Sequence, residues 1–214
     1  TAWALLFSAA RRVVEADTYL RAGKWEGWGP LQFLGGDIAG ATLGIIGAGR
    51  IGTAMALKSA GFNMRVLYYD TRPNETLENK LGAKRTDFST VIRESDFISV
   101  HTPLLEETRH LFSIEEFRKM KKSAYFVNTS RGPIVKEEDL LTALKENEIA
   151  GAGIDVYEFE PKVTEGLKEL SNVTLTPHIG SATTGARTGM ATTATKNLIA
   201  MMKGETAPNC VNPE

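Results

Sequence analysis

"GIIGAGRIGTAMA", residues 44–56, joins an apolar, strand-like run to a helical pattern through Gly47, Gly49 and Gly52, which stand in G-x-G-x-x-G spacing. Each glycine answers a physical need. The first permits a tight turn, the second lets the backbone approach a pyrophosphate, and the third lets a helix pack close to the strand it leaves. The spacing alone is a weak signal, and its context gives it weight. The next apolar run ends in "VLYYD", which puts Asp70 about 20 residues on, where a carboxylate accepts the ribose hydroxyls of an adenosine. A carboxylate repels a 2′-phosphate, so Asp70 favours NAD over NADP. Arg72, two residues later, offers a guanidinium to such a phosphate and keeps NADP as the alternative.

Outward from this stretch, short β-rich runs at 42–46, 64–69, 97–100, 124–128, 153–156 and 173–176 alternate with helical patterns at 51–60, 90–95, 114–121 and 137–147. Apolar strands separated mostly by helices predict an α/β fold, a parallel sheet covered on both faces. Right-handed crossovers leave the doubly wound Rossmann order as the leading topology. Ligands in such a sheet sit beyond the carboxyl ends of the strands, so every strand-to-helix loop faces one cleft.

Residues 1–24 read differently. "TAWALLFSAARRVVEADTYLRAG" has Leu6, Ala10, Val13 and Val14 at helical intervals and Gly23 where a helix stops. This predicts a long N-terminal helical arm, apolar on nearly every side in its first half, that packs on another subunit or domain, with an ordinary core helix as the alternative. Trp3, Trp25 and Trp28 read as fillers of contacts around that arm, and Met190, Met201 and Met202 as packing residues on a late helix. The domain reading is an interdomain or dimerisation helix at 1–24, a dinucleotide-binding domain at 25–182, and a returning helix and tail at 183–214.

Composition narrows the partners. A formal net charge of −1 gives no electrostatic case for nucleic acid or an anionic membrane surface. No apolar run reaches the roughly 18–20 residues of a membrane span, and the first residues lack the form of a signal peptide. The single cysteine, Cys210, has no partner for an intrachain disulfide, and no Cys/His cluster has metal-ligand spacing, so no metal is expected. Together these features suit a cytoplasmic protein.

Three later loops carry side chains able to do chemistry. "FVNTSRGPIV" puts Arg131 just beyond one strand, "GIDVYEFEP" puts Asp155 and Glu160 at and beyond the next, and "LTPHIGS" puts His178 beyond the last. A guanidinium, an acid and an imidazole at neighbouring carboxyl ends form a reacting centre on the cofactor side. His110 reads as a surface residue, and "KMKKS" at 119–123 as a solvated basic face.

"GIIGAGRIG", "VHTPL", "VNTSRG", "GAGIDVYEFEP" and "TPHIGSAT" together resemble the ordered signatures of the D-isomer-specific 2-hydroxyacid dehydrogenases, across essentially the whole chain. "GFNMRVLYYD", "PHIGSATTGARTGM" and "NLIAMMKGETAPNCVNPE" are similar to the glyoxylate/hydroxypyruvate reductases within that family. The resemblance implies Arg131, Glu160 and His178 as catalytic residues acting on a small 2-oxo or 2-hydroxy acid. It implies cofactor contacts from Gly47, Gly49, Arg50, Ile51, Gly52, Asp70, Thr102, Thr129, Ser130, Arg131, Asp155, His178, Gly180 and Ser181, and a homodimer. It also implies that His101 lies by the cofactor without being the acid. Family members carry a further segment ahead of the first helix that forms most of a substrate domain. The chain therefore looks like the cofactor domain of a larger enzyme, its companion domain largely absent. Related dinucleotide-sensing transcriptional corepressors share the fold and offer an interaction-module alternative, while a formate dehydrogenase-like reading conflicts with the acid at Glu160.

Overall fold

β1 (Thr42–Ile46) is buried along its whole length, and it is the strand around which the sheet is ordered. The computed structural model describes residues 1–212, which form two compact units, Thr1–His178 and one running from Ile179. In the first unit β1 is followed by α3 (Arg50–Lys58), β2 (Arg65–Tyr69), α4 (Glu75–Leu81), β3 (Lys84–Arg85), α5 (Phe88–Glu94) and β4 (Phe97–Val100). Then come α6 (Ile114–Lys119), β5 (Tyr125–Asn128), α7 (Glu137–Lys145), β6 (Gly151–Ile154) and β7 (Val173–Leu175). The described residues form a seven-stranded, wholly parallel sheet in the order β3-β2-β1-β4-β5-β6-β7. The order reverses between β1 and β4, whose ends align with Ile46 opposite Val100. That reversal opens the crevice at which doubly wound sheets bind ligands.

Alternation along the strands sends side chains to two cores. Ile46, Val100, Phe126 and Ile154 face Val91 of α5, Phe117 of α6 and Leu140 of α7. Leu43, Ile45, Tyr68, Tyr125 and Val127 share the other core with Met55 of α3 and with Leu5 and Leu6 of α1 (Ala2–Ala10). Each fully buried Leu, Ile or Phe contributes on the order of 1.5–3 kcal/mol, so the parallel sheet is held chiefly by this two-sided burial. Caps fix the helix starts. Asn74 accepts from Leu77 N–H (3.1 Å) and Asp87 from Thr90 N–H (2.9 Å), and Ser113 with Glu116 forms a capping box on α6.

The structure corrects several expectations. The N-terminal arm is not one long helix: α1 ends at Ala10, and α2 (Val13–Arg21) starts after Arg12 turns left-handed at φ 52°. The break has a local cause. Gly36 N–H captures the Ala10 carbonyl (2.9 Å), and the Arg12 guanidinium is held by Glu15 (2.8 Å) and lies 5.3 Å over the Phe33 ring. α1 buries Leu5, Leu6, Ala9 and Ala10 against the sheet, whereas α2 buries none of its residues. A seventh strand, β3, and α4 before it escape an apolar-pattern reading, because β3 is two charged residues and α4 buries only Leu77. β6 starts two residues earlier than expected. Its glycines carry no pattern, and Leu5 packs so close to Gly153 that a Cβ there would stand 2.7 Å from the Leu5 Cβ.

Trp3 does pack, against Phe7 and Phe62 at 5.5 and 5.6 Å, with Nε1 donating to Met55 O (3.1 Å). Trp25 and Trp28 are exposed instead, as are Met190, Met201 and Met202 on α8 (Thr184–Met202), because no core of their own unit covers them. The basic run at 119–123 is not simply solvated. Met120 enters the core, Lys121 pairs with Asp96 (2.7 Å) and Lys119 with Glu116 (3.2 Å).

Candidate active site

At the crevice, Gly47 turns with φ 90°, and a Cβ on it would stand 2.6 Å from Thr102 N, two residues past the end of β4. A Cβ on Gly52 would come within 2.0 Å of Gly47 O. Both positions therefore exclude any side chain. Gly49 caps α3 without a side-chain bond, and a Cβ there would meet no atom within 4 Å, so the loop is open outward at that point. The helix ladder begins with Thr53 N–H to Gly49 O (2.8 Å). The N–H groups of Arg50, Ile51 and Gly52 precede it at the positive end of the helix dipole, where backbone and field fit the pyrophosphate of a dinucleotide.

Asp70, at the end of β2, braces this loop. Its Oδ2 accepts Ala48 N–H (2.7 Å) and its Oδ1 accepts Arg72 N–H (3.1 Å). The Thr71 hydroxyl also donates to Oδ1 (3.3 Å); of the about four hydrogen bonds a carboxylate can accept, this leaves room for a ribose hydroxyl. Asn74 fastens the same loop, donating to Ala48 O and to Thr53 Oγ1, both at 2.7 Å.

Beyond β4 and β5 the backbone is tied in place by Asn128, a buried residue at the end of β5. Its Nδ2 donates to Arg131 O and its Oδ1 accepts Ser130 N–H, both at 3.0 Å, which closes the turn containing Thr129. The Ser130 hydroxyl donates to Thr102 O, joining the two loops. The Arg131 Nη1 donates to Ser130 O (2.7 Å). His101 lies inside, 2.9 Å from Ser99 Oγ, and burial pushes its pKa from the ordinary 6.5 down to about 4. It is therefore neutral near pH 7 and unsuited to donate a proton there.

Beyond β6 and β7 stand the remaining groups. Asp155 is almost wholly buried, with Oδ1 accepting the Thr176 hydroxyl (2.5 Å). Glu160 Oε1 accepts Tyr157 N–H (3.0 Å), and its Oε2 lies 3.0 Å from Nδ1 of His178. His178 follows Pro177 in a tight turn, with φ 53° and its N–H donating to Thr176 O (3.0 Å). Burial works to raise the Glu160 carboxyl pKa. The hydrogen bond to His178, the Tyr157 N–H and the charges of His178 and Arg131 outweigh it and hold the group below the usual glutamate range. Arg131, Glu160 and His178 line one open cleft of about 520 Å³, with Pro133, Phe159 and Lys162. Gly180 and Ser181 belong to the second unit, in the turn leading to Thr183, which caps α8 by accepting Ala186 N–H (3.1 Å).

Sequence reasoning missed residues that support this cleft. The Tyr157 hydroxyl donates to Thr176 O (2.9 Å), and burial raises its pKa to about 12, which keeps it a donor. His110 is exposed, as expected of a surface residue, and is bonded as well, its Nε2 2.5 Å from Glu158 Oε1. Glu137 is 3% exposed. Its one sequence signal is the acidic cluster "EED" opening α7, which reads as a helix-dipole preference.

Comparison with known proteins agrees with this geometry. Residues 3–180 match the family described as D-isomer specific 2-hydroxyacid dehydrogenase, NAD binding domain. A glyoxylate reductase of Thermococcus litoralis is 51% identical over 217 residues, covering all of this chain, which spans only 66% of that relative's length. Among solved structures, the TT0316 protein from Thermus thermophilus superposes with a TM-score of 0.92 at 41% identity, over 98% of this chain and 66% of its own. The NAD-complexed D-isomer specific 2-hydroxyacid dehydrogenase of Lactobacillus delbrueckii ssp. bulgaricus gives 0.85 at 29% identity, over 99% of this chain and 68% of its own. With the glycine loop, the parallel sheet and the match over residues 3–180 in agreement, the chain belongs to the D-isomer specific 2-hydroxyacid dehydrogenase family, as its NAD-binding domain.

Proposed function

We propose that this chain is the cofactor-binding portion of an NAD-dependent glyoxylate/hydroxypyruvate reductase, which interconverts a small 2-oxo acid and its D-2-hydroxy acid. The observation that carries the reading is the shared cleft in which Glu160 meets Nδ1 of His178 at 3.0 Å beside Arg131. When bound, the nicotinamide supplies the hydride to the carbonyl carbon or takes it back. The proton belongs to His178. With Nδ1 held by Glu160, Nε2 serves the substrate oxygen, donating in reduction and accepting in oxidation. Glu160 fixes the orientation of the ring through its bond to Nδ1. Arg131 binds the substrate carboxylate and polarises the carbonyl with its planar fork.

Gly47, Gly49, Arg50, Ile51 and Gly52 hold the pyrophosphate, and Asp70 holds the adenosine ribose and sets NAD above NADP. Thr102, Thr129, Ser130, Asp155, Gly180 and Ser181 complete the cofactor contacts. The exposed Val13, Val14, Leu20, Trp25 and Trp28 around α2 support a homodimer. Among the described residues no helix is long and apolar enough to cross a membrane, and the lone exposed thiol of Cys210 suits a cytoplasmic setting.

The test compares wild type and His178→Ala in the complete enzyme, with NADH and NADPH binding followed by nicotinamide fluorescence. Expected are tighter binding of NADH than of NADPH by the wild type and, in a variant that still binds NADH, a loss of about 10²- to 10⁴-fold in glyoxylate turnover at saturating NADH. A variant that keeps its rate refutes the assignment of His178.

A further inference from the structure

We propose that Glu137 is a positioning residue for the Glu160–His178 pair: its buried carboxylate grips both feet of the loop that carries Glu160. This deepens the catalytic reading above and rests on it for its functional consequence.

Glu137 is the first residue of α7 and does not line the cleft. An acid there ordinarily serves its own helix, facing the free N–H groups of the first turn. Glu137 serves another segment. Its Oε2 accepts Glu158 N–H at 2.7 Å and its Oε1 accepts Thr164 N–H at 2.6 Å. Glu158 and Thr164 bracket the turn that presents Glu160 and contains the Phe159–Lys162 bridge. One carboxylate thus closes that turn at its base. The grip is reciprocal, because Glu137 N–H donates back to Glu158 Oε2 (2.9 Å).

The other Glu158 oxygen extends the network. It meets His110 Nε2 at 2.5 Å, and His110 N–H donates to Pro133 O (2.8 Å), two residues past Arg131. Next to it, Phe112 N–H donates to Ile134 O (3.1 Å) and Lys136 N–H to Phe112 O (2.9 Å). The segment bearing Arg131 and the loop bearing Glu160 are therefore joined through His110, Glu158 and Glu137, of which Glu158 lines the cleft and Glu137 does not. A buried carboxylate accepting two backbone N–H groups cannot be replaced without leaving a donor unpaired. Here the donors freed would be those that set where Glu160 stands, and small displacements of catalytic groups cost rate steeply.

Two readouts test the clamp. In the first, the Glu160 carboxyl is titrated by carbon NMR in chain labelled at the glutamate carboxyl carbons. Glu137→Gln is expected to move that titration up toward the ordinary glutamate range, because Glu160 drifts from Tyr157 N–H and His178. In the second, turnover in the complete enzyme is expected to fall about 10- to 100-fold while NADH affinity stays within about twofold. Combined with Glu160→Gln, the same substitution should add little, since it acts through that residue.

An unmoved Glu160 titration with full turnover overturns the proposal. The catalytic reading fails separately: if Glu160→Gln leaves turnover intact while Glu137→Gln still moves the titration, the clamp stands without it. Should Glu137→Gln not fold, His110→Ala releases the half-exposed end of the network. It must shift the Glu160 titration in the same direction, and no shift counts against the proposal.

Discussion

At Glu160, environment sets proton affinity against burial. The carboxyl sits below its usual range because its bonds and neighbouring charges outweigh desolvation. The folded state then binds fewer protons than the unfolded one in the interval between the depressed pKa and the ordinary value of 4.5. The resulting stabilisation is present above that ordinary value and lost as pH falls through the depressed one. With the side chain 37% exposed, solvent screens much of the effect. Urea midpoints should show Glu160→Gln less stable than wild type near neutral pH and the gap closing in acid; a gap independent of pH contradicts the assignment. That Arg131, Glu160 and His178 meet in one cleft could be anticipated from sequence, because each lies in a loop beyond the carboxyl end of a strand, β5, β6 or β7, and carries a reactive side chain. Asn128, Glu137 and Glu158 were not. Their work is hydrogen bonding to backbone, in part across more than 20 residues, and nothing in residue type or spacing announces that.

Elements follow the same division between what periodicity marks and what packing decides. β1 and β4 match their apolar runs residue for residue, since both faces of a central parallel strand are buried. β3 is invisible to that signal: an edge strand with charged residues, a common way to blunt an exposed edge, has no apolar run to find. α4 did carry readable punctuation, an Asn74 cap and a Gly82 stop at φ 60°, though only Leu77 anchors it. The turn between β1 and α3 yields the clearest test at this scale. Gly52→Ala drives a Cβ to 2.0 Å from Gly47 O, and the backbone must shift to relieve it. Strain of that kind costs on the order of 1–3 kcal/mol, so the melting temperature should drop and NADH binding weaken together. An alanine variant with wild-type affinity would argue that the loop is not the pyrophosphate cradle.

For the whole molecule, the apolar first helix is the instructive case. Sequence marked it as apolar around much of its surface and suggested a covering from elsewhere; the structure puts its buried face on this chain's own sheet. Helical periodicity shows that a face needs cover but never which surface supplies it. Leu6, fully buried on α1, should cost about 2–5 kcal/mol when cut to alanine, measured as a lowered denaturant midpoint with an unchanged slope. A loss below about 0.5 kcal/mol, typical of surface sites, would mean that α1 is dispensable to this unit.

Leu5 rests on Gly153, roughly 150 residues further along the chain. At a synthesis rate of about 5–20 residues per second, α1 leaves the ribosome about seven to thirty seconds before β6, one of the strands that receive it. Until β5 and β6 arrive, the apolar face of α1 lacks the strands it packs on and is open to chaperones and to wrong partners. α1, made before every strand of this sheet, is among the last of these elements to dock.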